Sequence, residues 1–226
     1  MPYHIIDHDQ GSGAWLEWRH GGIGASDAPA LMGENPWKRP ARLFTEKTTP
    51  LKPYYAARPK PAAPASPDLF APAKPAPQTS GMRGASFGGG AMARGNALEP
   101  YARALYCETV GVTLEPACLQ SVANDWQRAS LDGINFDARR LVEIKCGDKV
   151  YAHTATTGTV PGYYIGQLQH ILSVTGFAEI DFWVWLPGQR GLLLTVPRDD
   201  GYIARMTETE AVFWARVEAA RNLTLG

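Results

Sequence analysis

Between Pro50 and Gly90 the chain carries nine of its 18 prolines and five of its 23 glycines, in runs such as PKPAAPASP and PAKPAPQ. Such a stretch cannot build a packed layer. Proline fixes φ and removes backbone donors, and the apolar side chains that offset chain entropy are nearly absent. It reads as a semi-rigid, partly polyproline-like insertion ending in a flexible Gly-rich piece, SFGGGA. The chain then divides into an N-terminal part at residues 1–49, the insertion at 50–90, and a C-terminal part at 91–226.

Outside the insertion there is enough apolar material for a core, since 45% of the 226 residues are hydrophobic. That excludes disorder throughout. Lys+Arg 22 against Asp+Glu 22 excludes a polybasic arm or an acidic tail. The balance hides an asymmetry, with ten basic residues against two acidic ones between Pro36 and Arg94. Cys107, Cys118 and Cys146 are odd in number and lack C-x-x-C spacing, which disfavours a zinc or iron–sulfur site and makes a reduced, intracellular setting the default. The N-terminus lacks a cationic and then apolar leader pattern, and no uncharged apolar run is long enough to span a membrane. A cytoplasmic location is therefore expected.

Ser26 followed by Asp27 and an Ala/Leu/Met run predicts an N-capped helix that stops at Gly33. A second short helix is predicted from Pro40, and a third over Arg94–Val110 with Leu98, Tyr101, Ala102, Leu105 and Tyr106 on one side. Pro100 then belongs to that helix's first turn or to a kink. The runs CLQSVA, RASLDGINF, LVEIKC, EIDFWVWL and GLLLTVP predict strands, with a helix over Tyr163–Val174 between the third and fourth. A long amphipathic helix from Asp200 to Asn222 closes the chain. The order predicts an α/β (α+β) domain whose mixed sheet is flanked by helices.

In LVEIKC, Glu143 and Lys145 are two residues apart, so a strand puts both on one face. Alone, that pattern is also what a salt bridge requires. Asp132, at a turn-prone SLDG beside a strand able to pair with LVEIKC, brings a second carboxylate to the same sheet edge. Two carboxylates and a lysine suit metal-assisted phosphodiester hydrolysis: hard oxygen ligands hold Mg²⁺ or Mn²⁺, the cation polarises phosphate and acidifies water, and the ammonium orients that water. The Ile144 carbonyl can complete the shell. Glu99, opening a helix, is a third carboxylate, although the helix dipole alone would favour it there. On the later helix Tyr163, Gln167 and His170 fall on nearly one face, while Gln169 diverges.

Five motifs occur in order: W-x3-R-x6-S-D over Trp15, Arg19, Ser26 and Asp27; N-P-W with E-K-T over Asn35 to Thr48; G-x3-E-P over Gly95 to Pro100; S-x-D-G with E-x-K over Ser130 to Lys145; and Q-x-Q over Gln167 to Gln169. With them the chain resembles the lambda-exonuclease and YqaJ-like viral recombinase nucleases, a branch of the PD-(D/E)XK superfamily. The resemblance covers nearly all of the chain except the insertion and the terminal helix. It implies a restriction-endonuclease-like core in which Glu99, Asp132, Glu143 and the Ile144 carbonyl bind Mg²⁺ (or Mn²⁺), two ions per site. Lys145 and Gln167 would contact the water or the scissile phosphate. Arg19, Ser26 and Ser130 would line a pocket for the 5′-phosphate of a DNA end, where an Arg fork, Ser hydroxyls and the N-terminus of the helix after Ser26 suit an anion. Arg19 is equally readable as a surface arginine, and Ser26 as a helix cap alone.

The resemblance implies a metal-dependent 5′→3′ exonuclease that degrades one strand of linear duplex DNA, leaving 3′ tails for phage-type recombination. It further implies a ring-shaped homotrimer, a single-strand annealing protein as partner, and a bacterial host's cytoplasm. Two other readings remain open. One is a RecB-like repair or CRISPR-associated nuclease, many of which carry a four-cysteine cluster that three cysteines cannot supply. The other is a catalytically silent DNA-end binder, for which clustered carboxylates facing phosphate would be a poor choice.

Overall fold

A computed structural model describes residues 1–52 and 88–225. Apart from its two ends, the Pro/Gly-rich insertion lies outside the described residues. Among the described residues one seven-stranded sheet forms from β1 (Tyr3–Ile6), β2 (Ile23–Gly24), β3 (Glu115–Ser121), β4 (Gln127–Asn135), β5 (Arg140–Lys145), β6 (Glu179–Val184) and β7 (Leu192–Pro197). The order is β1-β3-β4-β5-β6-β7, with β2 paired to β4. Neighbours are antiparallel except β5–β6 and β2–β4. This is the mixed, helix-flanked sheet that the order of elements predicts.

The helices are α1 (Gly13–His20), α2 (Ala28–Leu31), α3 (Pro40–Thr48), α4 (Gly88–Val110), α5 (Asp148–Thr157), α6 (Ile165–Thr175) and α7 (Asp200–Leu225), with 3₁₀ turns at Ala25–Asp27 and Gly162–Tyr164. Parallel β5 and β6 need a crossover, and α5 and α6 supply it. Strand alternation sends Ala129, Leu131 and Leu141 to one face of the sheet, where Leu168, Ile171 and Leu172 of α6 cover them. Val142, Ile144 and Trp183 point to the other face, under Leu98, Ala102 and Tyr106 of α4. A third cluster joins Ile23, Leu31 and Leu43 from the N-terminal part to Phe213, Trp214 and Val217 of α7. Each such Leu, Ile or Phe contributes roughly 1.5–3 kcal/mol relative to exposure.

Several expectations need correction. Ser26 is not a helix cap: it lies in the 3₁₀ turn, α2 begins at Ala28 and spans only four residues, and the Ser26 hydroxyl accepts from Arg19. So short a helix adds little dipole toward an anion. Helix α4 starts at Gly88 rather than Arg94, which places Pro100 in its interior, exposed. There it denies the Asn96 carbonyl its usual helical donor. Tyr163 belongs to the 3₁₀ turn before α6, so it does not share a helical face with Gln167 and His170. Four elements, β1, α1, β2 and α5, carry no prediction from the sequence.

Two buried polar networks tie the layers together. Asp181 on β6, 2% exposed, accepts from Tyr106 Oη at 2.5 Å and Thr195 Oγ1 at 2.7 Å, so both its oxygens are engaged, and it forms an ion pair with Arg140 Nε at 3.0 Å. Glu210 of α7 meets His170 Nδ1 at 2.7 Å and accepts from Gln127 Nε2 at 2.7 Å, while His170 Nε2 lies 3.2 Å from the Arg128 carbonyl. This second network pins α7 to α6 and β4 in the interior. Glu210→Ala strands two buried polar side chains and is expected to cost roughly 2–5 kcal/mol. The midpoint of urea unfolding reads that loss; an unchanged midpoint would show that α7 is held by its apolar face alone.

Candidate active site

The regular β4–β5 ladder runs Asn135↔Arg140, Ile134↔Leu141 and Gly133↔Val142, and there the strands part. One step further, the Asp132 carboxylate takes the place of a main-chain acceptor, its Oδ2 receiving the Ile144 N–H at 2.8 Å. Gly133 is required beside it, because a Cβ there would stand 2.9 Å from Val142 Cγ1 and 3.1 Å from Leu114 Cβ. The parting opens a gap into which α4 and α6 deliver side chains from opposite faces. Helix α4 brings Glu99, held by Arg103 Nη2 at 2.8 Å, one helical turn on. Helix α6 brings Gln167, whose Nε2 donates to Glu143 Oε1 at 2.6 Å. Lys145 reaches the same Glu143 oxygen and lies 5.0 Å from the Tyr164 ring centroid.

Glu143 is 2% exposed, and its second oxygen, Oε2, is buried with no hydrogen-bond partner. Asp181, equally buried on the adjacent strand, is by contrast engaged through both oxygens, so the Glu143 oxygen stands out as an unfilled acceptor. Burial, and then the charge of Asp132, push the Glu143 carboxyl up to about 8 and that of Glu99 up to about 7. Burial also raises Asp132. Burial disfavours the Lys145 ammonium, yet Glu143 and Asp132 hold it well above its ordinary value. Carboxylates that repel one another around an unfilled oxygen are the donor set a hard divalent cation satisfies. Among the described residues no three His, Cys, Asp or Glu side chains already stand in a metal-holding arrangement. The carboxylates are instead engaged by Arg103, Lys145, Gln167 and the Ile144 N–H.

The three residues expected at a terminal phosphate are brought together around Trp15. Its Nε1 donates to Ser130 Oγ at 2.8 Å, its ring lies 4.6 Å under the Arg19 guanidinium, and Arg19 Nη2 donates to Ser26 Oγ at 2.7 Å. A Cβ on Gly24 would approach Arg19 Nη2 to 3.2 Å, so glycine leaves room for the fork. Ser130 precedes Asp132 by two residues on β4, and both therefore project from the same side of the strand. Behind Arg19, buried Asp27 pairs with Lys47 Nζ at 2.9 Å and Lys38 Nζ at 3.5 Å. Burial alone would raise its carboxyl, but Lys47, Arg19 and Lys38 hold it well below the usual carboxylate range.

Not every motif residue reaches the site. Gln169 clamps the β7–α7 junction, donating to the Pro197 carbonyl and accepting from the Asp199 N–H, both at 2.9 Å. His170 is buried on Glu210. Arg103 and Tyr164 stand in the site without having been singled out from the sequence. Spacing of four from Glu99 is a usable signal for Arg103, and none exists for Tyr164.

Between the ordinary value of 4.5 and about 8, folded Glu143 keeps a proton that the unfolded chain releases. Stability in chelator must therefore fall as pH rises through that window and level off above it. Thermal melts from pH 5 to 9 are expected to show this slope, shallower in Glu143→Gln; parallel slopes would mean that Glu143 ionises normally in the fold.

Residues 14–178 match the YqaJ-like viral recombinase domain. The uncharacterized protein YqaJ of Bacillus subtilis (strain 168) is 24% identical over 204 residues, 88% of this chain and 54% of that protein, so the chain spans about half the length of that curated relative. The alkaline exonuclease LHK-Exo of Laribacter hongkongensis superposes with a TM-score of 0.66 at 24% identity, over 92% of this chain and 95% of the other. Its complex with dAMP gives 0.65 at 23%, over the same shares. These structures share the fold. With well over half its length matched, the chain belongs to the YqaJ-like viral recombinase domain family.

Proposed function

We propose that the protein is a divalent-metal-dependent deoxyribonuclease that removes nucleotides from the 5′ end of one strand of linear duplex DNA. The observation that carries this reading is the unpartnered, buried Glu143 oxygen beside Asp132 and Glu99, with Lys145 and Gln167 on its other oxygen. Glu99, Asp132, Glu143 and the Ile144 carbonyl would hold Mg²⁺ or Mn²⁺, up to two ions, which would supply Lewis-acid polarisation of the scissile phosphate and a more acidic water. Gln167 fixes the Glu143 carboxylate in orientation. The Lys145 ammonium orients the attacking water and neutralises charge that grows on the phosphate oxygens. Water adds to phosphorus, the P–O3′ bond breaks, and the departing nucleotide leaves with a 3′-hydroxyl while the shortened strand keeps a new 5′-phosphate.

Arg19, Ser26 and Ser130 are the proposed holders of that terminal phosphate, through a guanidinium fork and two hydroxyls. The LHK-Exo relative is described as an alkaline exonuclease, which favours the same class of reaction here. Within this proposal residues 1–49 and 91–226 make one nuclease unit, and residues 50–90 join them as an insertion. A three-subunit ring, delivery of the 3′ tail to a single-strand annealing protein, and work in a bacterial host's cytoplasm complete the reading. Among the described residues no helix is long and apolar enough to cross a membrane.

The test is a time course on linear duplex bearing a 5′-phosphate, with Mg²⁺ or with chelator. Loss is expected only with metal and from the 5′ end, roughly 10²–10³-fold slower in Lys145→Ala. Asp132→Ala and Glu143→Ala are expected to lose cleavage and keep end binding. Release of nucleotides from the 3′ end would overturn the polarity, and wild-type-like rates in Asp132→Ala would move the metal site elsewhere. Arg19→Ala should erase the preference for 5′-phosphate over 5′-hydroxyl ends while leaving the 5′-hydroxyl rate unchanged; an equal loss on both ends would remove Arg19 from the terminal pocket.

A further inference from the structure

Trp37 is 64% exposed, an unusual place for the largest apolar side chain, yet its backbone is fixed. Asn35 Oδ1 accepts the N–H groups of Trp37 at 2.8 Å and Lys38 at 2.9 Å, a local turn that presents the indole outward. One side of that indole is supported. Its ring centroid lies 4.9 Å from Tyr163 at 78°, Tyr163 lies 4.6 Å from Tyr164, and the Tyr164 ring faces Lys145 Nζ at 5.0 Å. An aromatic ladder thus runs from solvent to the lysine at the proposed scissile phosphate.

The neighbouring residue on the same turn leads the other way. Lys38 Nζ lies 3.5 Å from Asp27 Oδ1, and Asp27 is the carboxylate that faces Arg19 behind the proposed terminal-phosphate pocket. The Asn35–Lys38 turn therefore bridges two anion sites, one at Arg19 and Ser26, the other at Lys145. On a strand cut one nucleotide at a time from its 5′ end, the terminal and scissile phosphates flank a single nucleoside. Its base must be accommodated between those two sites.

We infer that Trp37, supported by Tyr163, is a stacking platform for the nucleobase of the 5′-terminal nucleotide. This rests on the nuclease reading above and adds a contact to the base itself. Every base offers a π-face, so the platform is tolerant of sequence, and it stabilises the terminal base away from its pairing partner. The indole contacts substrate through the base alone and takes no part in proton transfer.

The experiment measures equilibrium binding in chelator, where no cleavage occurs, of 5′-phosphorylated duplexes whose first or second nucleotide is intact or abasic. Trp37→Ala is expected to weaken binding of the intact end about 5- to 100-fold. Trp37→Phe should recover most of that loss, which guards against misfolding as the cause. With the first nucleotide abasic, wild type and Trp37→Ala should bind alike; with only the second abasic, the full difference should remain. An equal Trp37→Ala loss on the end lacking its first base would overturn the inference, as would wild-type binding of the intact end by Trp37→Ala. Disappearance of the effect only when the second base is missing would overturn it too. The parallel cleavage assay with Mg²⁺ separates the two levels. A wild-type protein that degrades no DNA brings down the nuclease reading and this inference with it, whereas normal degradation combined with any overturning binding result brings down the platform alone.

Discussion

The site depends on the hydrogen bond between the Asp132 carboxylate and the Ile144 N–H. A strand pair that continued its ladder past Gly133 and Val142 would have filled this space with backbone. Because a side chain takes the next rung instead, β4 and β5 separate while the Ile144 N–H still has an acceptor. The opening admits Glu99 from α4 on one face and Gln167 from α6 on the other. Neither helix could reach the other's side through an intact sheet. The parallel β5–β6 pair adds to this, since its crossover carries α6 and sets Gln167 against Glu143.

Much of the sheet was legible because its strands read as apolar or alternating runs bounded by turn residues. The E-x-K pair was legible from strand parity alone, and Asp132 from its place in a turn-prone run before a pairing strand. The elements without a signal explain themselves physically. Strand β1 is four residues, too short to show a period, and α5 reads DKVYAHTATT, rich in threonines of poor helix propensity. Ser26 looked like a cap because serine before an apolar run usually is one, but the Arg19 guanidinium claims its hydroxyl. Gln167 and Gln169 share one Q-x-Q motif, and the divergence that helical spacing gives them is matched by different tasks.

What could not be read was long-range convergence. Trp15 sits 115 positions from the Ser130 it binds, and Gln127 lies 83 from Glu210. No local pattern encodes such contacts; they follow only once the sheet order is fixed. Family resemblance supplied Arg19, Ser26 and Ser130 as a set, and the structure adds the indole around which they gather.

The net charge of zero conceals two poles. Around Asp27, the cations of Lys47, Lys38 and Arg19 outnumber the single carboxylate they surround, while Glu99, Asp132 and Glu143 gather three carboxyl groups, all raised by burial, beside Lys145 and Arg103. On the proposed reading, such a pairing of poles favours the terminus of a polymer over its length, since only an end presents a free phosphate beside a scissile one.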